Sequence, residues 1–230
     1  MRCGEELVYG DRGVAGEVYL TNTANNYQIR AVPFRHTEIA TVETFMEMLR
    51  IRTERLDLIP ATIEILKSDR EDRRTLAHLL DAAVPASWPP PLLDDEMLGE
   101  FIRIASGASD PYFTSWYWVL DDPAQGERVL IGSGGIASSP TAAGTVLIGY
   151  SVLEEFQGRG YATEAVRRLI PAIFSLPGIR QIMATTYPDL AASIRVLEKN
   201  GFVHAGATGA GEGIEEGTVA YVLEKPDAPV

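Results

Sequence analysis

The chain has 230 residues, of which 46% are apolar and 23% charged, with one cysteine, Cys3, and a formal net charge of −12. This is apolar material for a sizeable core and length for one large domain, or one domain with an appendage. A lone cysteine excludes an intrachain disulfide and a multi-cysteine metal site. The acidity excludes a nucleic-acid binder that needs a basic stripe, and no apolar run approaches the roughly 18–20 residues that span a bilayer.

The first residues, Met1-Arg2-Cys3-Gly4-Glu5-Glu6, lead into no apolar h-region, so a cytoplasmic protein without a secretory signal is expected. Residues 1–45 show no sustained period, and a short strand over residues 16–20 is the only element they suggest. This extension is expected to be poorly ordered or loosely packed, and Met46 or Met48 would serve as an alternative start. The main domain is expected over residues 46–226, with 227–230 as a tail.

Within it, residues 49–59 read as a strand ending at Pro60, followed by a helix over 61–83 whose later turns carry Leu76, Leu79, Leu80 and Ala83 on one face. The prolines of 84–92 make an extended loop around Trp88, and a second helix spans 94–105. Strands at 112–120, 128–137 and 145–153, joined by short turns, form an antiparallel meander. Trp116, Tyr117 and Trp118 alternate across the first of these and fill core. The clearest helix covers 160–174, with Ala162, Ala165, Val166, Leu169, Ile170 and Ile173 on one face. A strand at 180–186 follows, then a helix capped by Asp189 and ended by Asn200-Gly201. Strands at 202–205 and 218–223 flank a Gly-rich loop holding Glu212, Glu215 and Glu216. The fold class is a mixed α/β (α+β) domain with helices on the faces of one sheet.

Chemistry concentrates at the strand-to-helix junction Tyr150-Ser151-Val152-Leu153-Glu154-Glu155-Phe156-Gln157-Gly158-Arg159-Gly160-Tyr161-Ala162-Thr163-Glu164-Ala165. Gly158 and Gly160 permit a sharp turn and close ligand approach. The helix that follows begins with unpaired amides and a dipole that favours an anion, so the junction has the ingredients of a phosphate site, to which Arg159 adds charge. An ordinary tight turn into a buried helix is the alternative. No Gly-Lys-Ser/Thr ending marks a P-loop, and Thr163 stands where a dinucleotide fingerprint needs its third glycine.

Here the sequence resembles the GNAT N-acetyltransferases, and among them the RimJ/RimL type. Gln157, Gly160 and Ala162 match the family's Gln/Arg-x-x-Gly-x-Gly/Ala motif. Thr53-Glu54-Arg55-Leu56 resembles the opening strand, Ile148-Gly149-Tyr150 the central strand, and Ser193-Ile194-Arg195-Val196-Leu197-Glu198-Lys199-Asn200-Gly201-Phe202 the segment after the cofactor helix. The resemblance runs in order from about 49 to 225. It implies a mostly antiparallel sheet of six to seven strands flanked by about four helices, with acetyl-CoA as co-substrate and no metal.

In such enzymes the pyrophosphate rests on the loop corresponding to 157–162. The pantetheine arm lies along the strand end corresponding to Ser151, Val152 and Leu153, where the strand splays from its neighbour. The amine attacks the thioester directly in a ternary complex, through an oxyanion held by a backbone N–H near Val152 or Leu153. Cofactor contacts are thus expected from Ser151, Val152, Leu153, Gln157, Gly158, Arg159, Gly160, Tyr161, Ala162, Thr163, Leu190 and Ser193. The chain departs from the family at Leu147, where many relatives carry Glu, and at Leu190, where many carry Asn. The usual tyrosine acid is missing from the 189–200 helix. Glu154 or Glu155 then becomes the candidate base, with Asp189 behind them, and Ser193 the partner of the CoA sulfur. The acceptor is a primary amine, either a protein N-terminus or a small amine, and the acidic segments favour a cationic one. A non-catalytic acyl-CoA-binding module is the alternative. No membrane partner is expected, and the chain would act as a monomer or homodimer.

Overall fold

A computed structural model describes residues 5–9, 16–23, 26–33, 49–91, 93–107, 112–121, 126–139, 142–207 and 217–226. The chain divides into two units, Met1–Met48 and Leu49–Val230. In the first, β1 (Glu5–Tyr9), β2 (Gly16–Thr23) and β3 (Asn26–Pro33) pair antiparallel in that order. The sequence reading offered only a short strand at 16–20 there.

The second unit begins with β4 (Ile51–Arg52) and β5 (Leu56–Pro60), continues through α1 (Ile63–Glu71), α2 (Arg73–Leu80) and α3 (Asp95–Gly107), and reaches the meander β6 (Ser115–Leu120), β7 (Val129–Ser138) and β8 (Thr145–Val152). A 3-10 turn (Glu154–Phe156), α4 (Tyr161–Ser175), β9 (Gln181–Thr186), α5 (Ala191–Lys199), β10 (Val203–Ala207) and β11 (Val219–Glu224) complete it. The strand order is β10-β11-β9-β8-β7-β6-β5-β4, antiparallel throughout except for the parallel pair β8–β9.

Among the described residues this gives eight strands and five helices in the second unit, close to the expected six to seven and about four. The surplus has two local causes. The strand expected at 49–59 folds back on itself, because the Thr53 hydroxyl accepts from the amides of Arg55 and Leu56 and closes a turn. The helix expected at 61–83 breaks at Asp72, whose extended backbone ends α1 and whose carboxylate caps the amides of Arg74 and Thr75 to start α2. Asp189 does not cap α5: the N-cap residue is Leu190, with no side-chain hydrogen bond. The Gly-rich loop with Glu212, Glu215 and Glu216 and the tail 227–230 lie outside the described residues.

Strand alternation sorts the core into two layers. Trp116 and Trp118 join Val152, Ile182 and the α4 residues Ala165, Val166, Leu169 and Ile173. Tyr117 and Val119 face the other way, with Leu66, Leu76, Leu80 and Leu98 from α1, α2 and α3. In this second layer Asp69 is buried and receives hydrogen bonds from Trp88 Nε1 (2.6 Å) and Tyr117 Oη (2.5 Å). Burial raises its carboxyl above the usual range, against the lowering effect of those two donors and of Arg73.

Two glycines of β7 let the layers close. A Cβ on Gly134 would stand 3.0 Å from Trp118 Cζ2, and one on Gly135 would stand 2.5 Å from Phe101 Cζ. Gly135→Ala should therefore cost about 1–3 kcal/mol through overpacking. Urea unfolding measures this, and adding Phe101→Leu to make room should recover part of the loss.

Candidate active site

The site is built where β8 outruns its parallel neighbour. Register with β9 runs from Thr145↔Gln181 to Ile148↔Ala184 and stops, although β8 continues to Val152 and β9 to Thr186. On the other side β8 stays paired with β7 as far as Val152↔Gly132, and Leu153 N–H donates to Ile131 O at 2.9 Å. Hydrogen-bonded and non-bonded pairs alternate in an antiparallel ladder. The Leu153–Ile131 bond therefore turns the peptide groups of Ser151 and Gly149 towards β7, and those of Tyr150 and Val152 towards the gap. The donor expected at Leu153 is thus already engaged. The amides facing the gap belong to Tyr150 and Val152, which the strand period could have indicated once one bond was known.

Beyond the strand end the chain makes the 3-10 turn and then two left-handed residues, Gly158 (φ 74°) and Gly160 (φ 85°). Gly160 is the N-cap of α4 with no side-chain cap, and the helix opens with a bond from Glu164 N–H to Gly160 O at 3.0 Å. Among the described residues, the amides of 158–163 find no acceptor, which leaves them for an anion. Gln157 is engaged elsewhere: its Nε2 donates to Val152 O (2.9 Å) and its N–H to Glu154 O (3.1 Å), tying loop to strand. Arg159 donates to Glu155 O at 2.9 Å and lies over the Phe156 ring, 5.7 Å from its centroid.

A second clamp comes from the turn before β5. Glu164 accepts from Thr53 Oγ1 (2.5 Å), Arg55 N–H (3.0 Å) and Arg55 Nε (2.8 Å). Arg55 also donates to Arg159 O (3.2 Å), and its guanidinium lies 4.4 Å from the centroid of the Tyr161 ring. This contact explains the Thr53-Glu54-Arg55-Leu56 segment: it fixes the N-terminus of α4. Partial burial raises the Glu164 carboxyl, but the bonds from Thr53 and Arg55 outweigh it and hold the group below the usual range.

The candidate proton carriers separate. Glu155 accepts a hydrogen bond from Ser87 Oγ, which holds its carboxyl below the usual range and makes it a weak base. The Glu154 carboxylate is exposed, with no bonded partner among the described residues. Leu190 is 46% exposed. Ser193, in the first turn of α5, meets a residue that the sequence reading assigns no role. Tyr150 Oη donates to Ser193 O at 3.2 Å and lies 3.3 Å from Ser193 Oγ. The motif Ile148-Gly149-Tyr150 marked the strand but not the reach of the phenol. Ala162 and Thr163 are half-buried in the first turn of α4, and Thr163 O accepts from Asn200 Nδ2 (3.3 Å). No cluster able to hold a metal exists among the described residues, and none of their helices is long and apolar enough to cross a membrane.

A parallel strand pair that parts opposite an uncapped helix N-terminus is a geometry that can take an extended ligand with an anionic end. Comparison with known proteins gives the family. The family model described as "Acetyltransferase (GNAT) domain" matches residues 62–203, more than half of the chain, and the protein belongs to the GNAT acetyltransferase family. A relative, the uncharacterized N-acetyltransferase YjdG of Bacillus subtilis (strain 168), is 30% identical over 91 residues, covering 40% of this chain and 52% of that protein. The chain thus matches about half of that relative's length.

Solved structures share the fold. An acetyltransferase from Agrobacterium tumefaciens str. C58 is 18% identical, with a TM-score of 0.54 over 84% of this chain and 100% of that one. The ribosomal-protein-S5-alanine acetyltransferase from Vibrio fischeri is 20% identical, with a TM-score of 0.50 over 77% and 97%. The microcin C7 self-immunity acetyltransferase MccE, in complex with acetyl-CoA and AMP, is 15% identical, with a TM-score of 0.50 over 75% and 94%.

The Glu164 clamp has a measurable pH signature. Its folded carboxyl titrates below the unfolded value, so its contribution is complete above the usual carboxylate range and is lost as the pH falls through the folded value. Glu164→Gln should lower stability at neutral pH and narrow the gap to wild type on acidification. Urea midpoints across that range test this.

Proposed function

We propose that the chain transfers an acetyl group from acetyl-CoA to a primary amine by direct attack within a ternary complex. The observation that carries this reading is the end of β8–β9 pairing at Ile148↔Ala184, opposite the free amides of 158–163. Acetyl-CoA fits this arrangement: an anionic pyrophosphate suits the loop amides, and an arm of amide groups suits the Tyr150 peptide groups and the Val152 amide, which face the gap. When bound it supplies an activated acyl group on sulfur. The complex of MccE with acetyl-CoA supports the same donor here.

In this reading Gly158 and Gly160 admit the phosphates, and Val152 and Tyr150 orient the arm. The Tyr150 N–H, or that of Val152, faces the oxygen on which negative charge develops. Glu154 takes the proton from the incoming amine, directly or through water. The acceptor is a protein N-terminus or a small amine, and the Vibrio fischeri neighbour's ribosomal-protein substrate makes the first of these worth testing. One observation favours a second reading, a non-catalytic acyl-CoA-binding module: Leu147, paired with Ala137 and Met183, stands where many relatives carry the strand carboxylate.

Calorimetry with CoA and ATP should show CoA binding alone. Gly160→Ala, at a left-handed position, should weaken that binding by about tenfold or more. A thiol-release assay over N-terminal peptides and small amines separates enzyme from module: binding without turnover on any amine sinks the transfer reading.

The two carboxylates divide in the same assay. Glu154→Gln should lower kcat on the order of a hundredfold. Glu155→Gln should lower it far less, because Glu155 is bound to Ser87. The reverse order would move the base to Glu155.

A further inference from the structure

The thiolate that leaves in such a transfer carries negative charge, and the helix where relatives keep a tyrosine offers Val196 and Leu197 instead. A phenol nevertheless reaches this end of the gap, from the strand. Tyr150 lies two residues past the last β8–β9 pair, and its hydroxyl crosses to the first turn of α5, against Ser193. Its ring is held in place: it stacks on Trp118 with centroids 6.2 Å apart and planes at 24°. Trp118 reaches it across β7 over Gly134, where a Cβ would stand 3.0 Å from Trp118 Cζ2 and press on the ring.

We infer that Tyr150 is a positioning residue which, through Ser193, directs a hydroxyl proton to the departing sulfur. This rests on the acetyl-transfer reading. The two hydroxyls hold two protons, and the Ser193 carbonyl accepts one of them. At rest the Ser193 O–H can point to Tyr150 Oη, because either oxygen of that pair can donate. When negative charge builds in the gap, Ser193 turns its proton towards it, and Tyr150 donates to the Ser193 Oγ lone pair. The phenol is suited to this, since burial pushes its pKa up to about 12 and keeps it a donor across the working range. In the transfer the amine nitrogen bonds to the acyl carbon and loses a proton to base or solvent. The carbon–sulfur bond breaks with its electron pair on sulfur, and the Ser193 hydrogen bond stabilises that thiolate.

The test uses CoA itself as probe, with the full chain and Tyr150→Phe, which keeps the ring on Trp118. The ultraviolet absorbance of the thiolate gives the titration midpoint of bound CoA. Wild type should lower it below that of free CoA. Tyr150→Phe and Ser193→Ala should each raise it by about one unit, and the double variant should add nothing further. In turnover, Tyr150→Phe should lower kcat on the order of tenfold with an unchanged KM for acetyl-CoA. That loss should shrink with an acetyl thioester of a more acidic thiol. A midpoint indifferent to Tyr150→Phe, or an effect of equal size in the Ser193→Ala background, overturns the inference while leaving acetyl transfer standing. Failure of wild type to bind CoA overturns both.

Discussion

Everything at this site depends on the parting of β8 and β9 after Ile148↔Ala184. Backbone amides and carbonyls are obligatory hydrogen-bonding groups, and leaving them unpaired near a core is costly unless another partner takes them. Here some are satisfied within the protein and some are left. Gln157 covers the carbonyl of Val152, and the Leu153 amide finds Ile131. The Tyr150 peptide groups and the Val152 amide, which face the gap, are left outside this scheme, where a ligand could complete the sheet's hydrogen bonding.

Holding the edge open takes structure on both sides. β7 keeps β8 straight on one flank by pairing as far as Val152, which its glycines permit: a Cβ on Gly132 would lie 2.6 Å from Ser151 O. On the other flank α5 meets β8 through Tyr150 and Ser193 rather than through backbone pairing. The N-terminus of α4 is fixed independently by the turn of Thr53 and Arg55 on Glu164. Strand edge and anion site are thus set by separate contacts, and each can be disturbed without the other.

What the sequence revealed followed from the range of the interactions. The glycines at 158 and 160, the apolar face of α4 and the alternation of Trp116, Tyr117 and Trp118 are local patterns, and local geometry dictates their outcome. The break at Asp72 was missed because a good helical period continues across it, and only the capping role of its carboxylate decides. The links that assign roles span far more chain. Tyr150 and Ser193 are 43 residues apart, Ser87 and Glu155 are 68, and Arg55 and Glu164 are 109. No window of sequence contains both ends of any of these, so the glycine turn into α4 was legible while the fate of each carboxylate was not.

The same contacts resolve an apparent conflict between a net charge of −12 and the anion site proposed at the start of α4. The two arginines beside the loop are already engaged. Arg55 is paired with Glu164 at 2.6 Å, and Arg159 is turned onto Phe156 and Glu155 O. Anion attraction is therefore left to peptide N–H groups and the α4 dipole, which act over about one helical turn and are insensitive to the distant surface charge. A site made of backbone needs left-handed glycines and a rigidly placed helix end more than it needs cations. Arg55, a cation beside the loop, is accordingly used to place the helix.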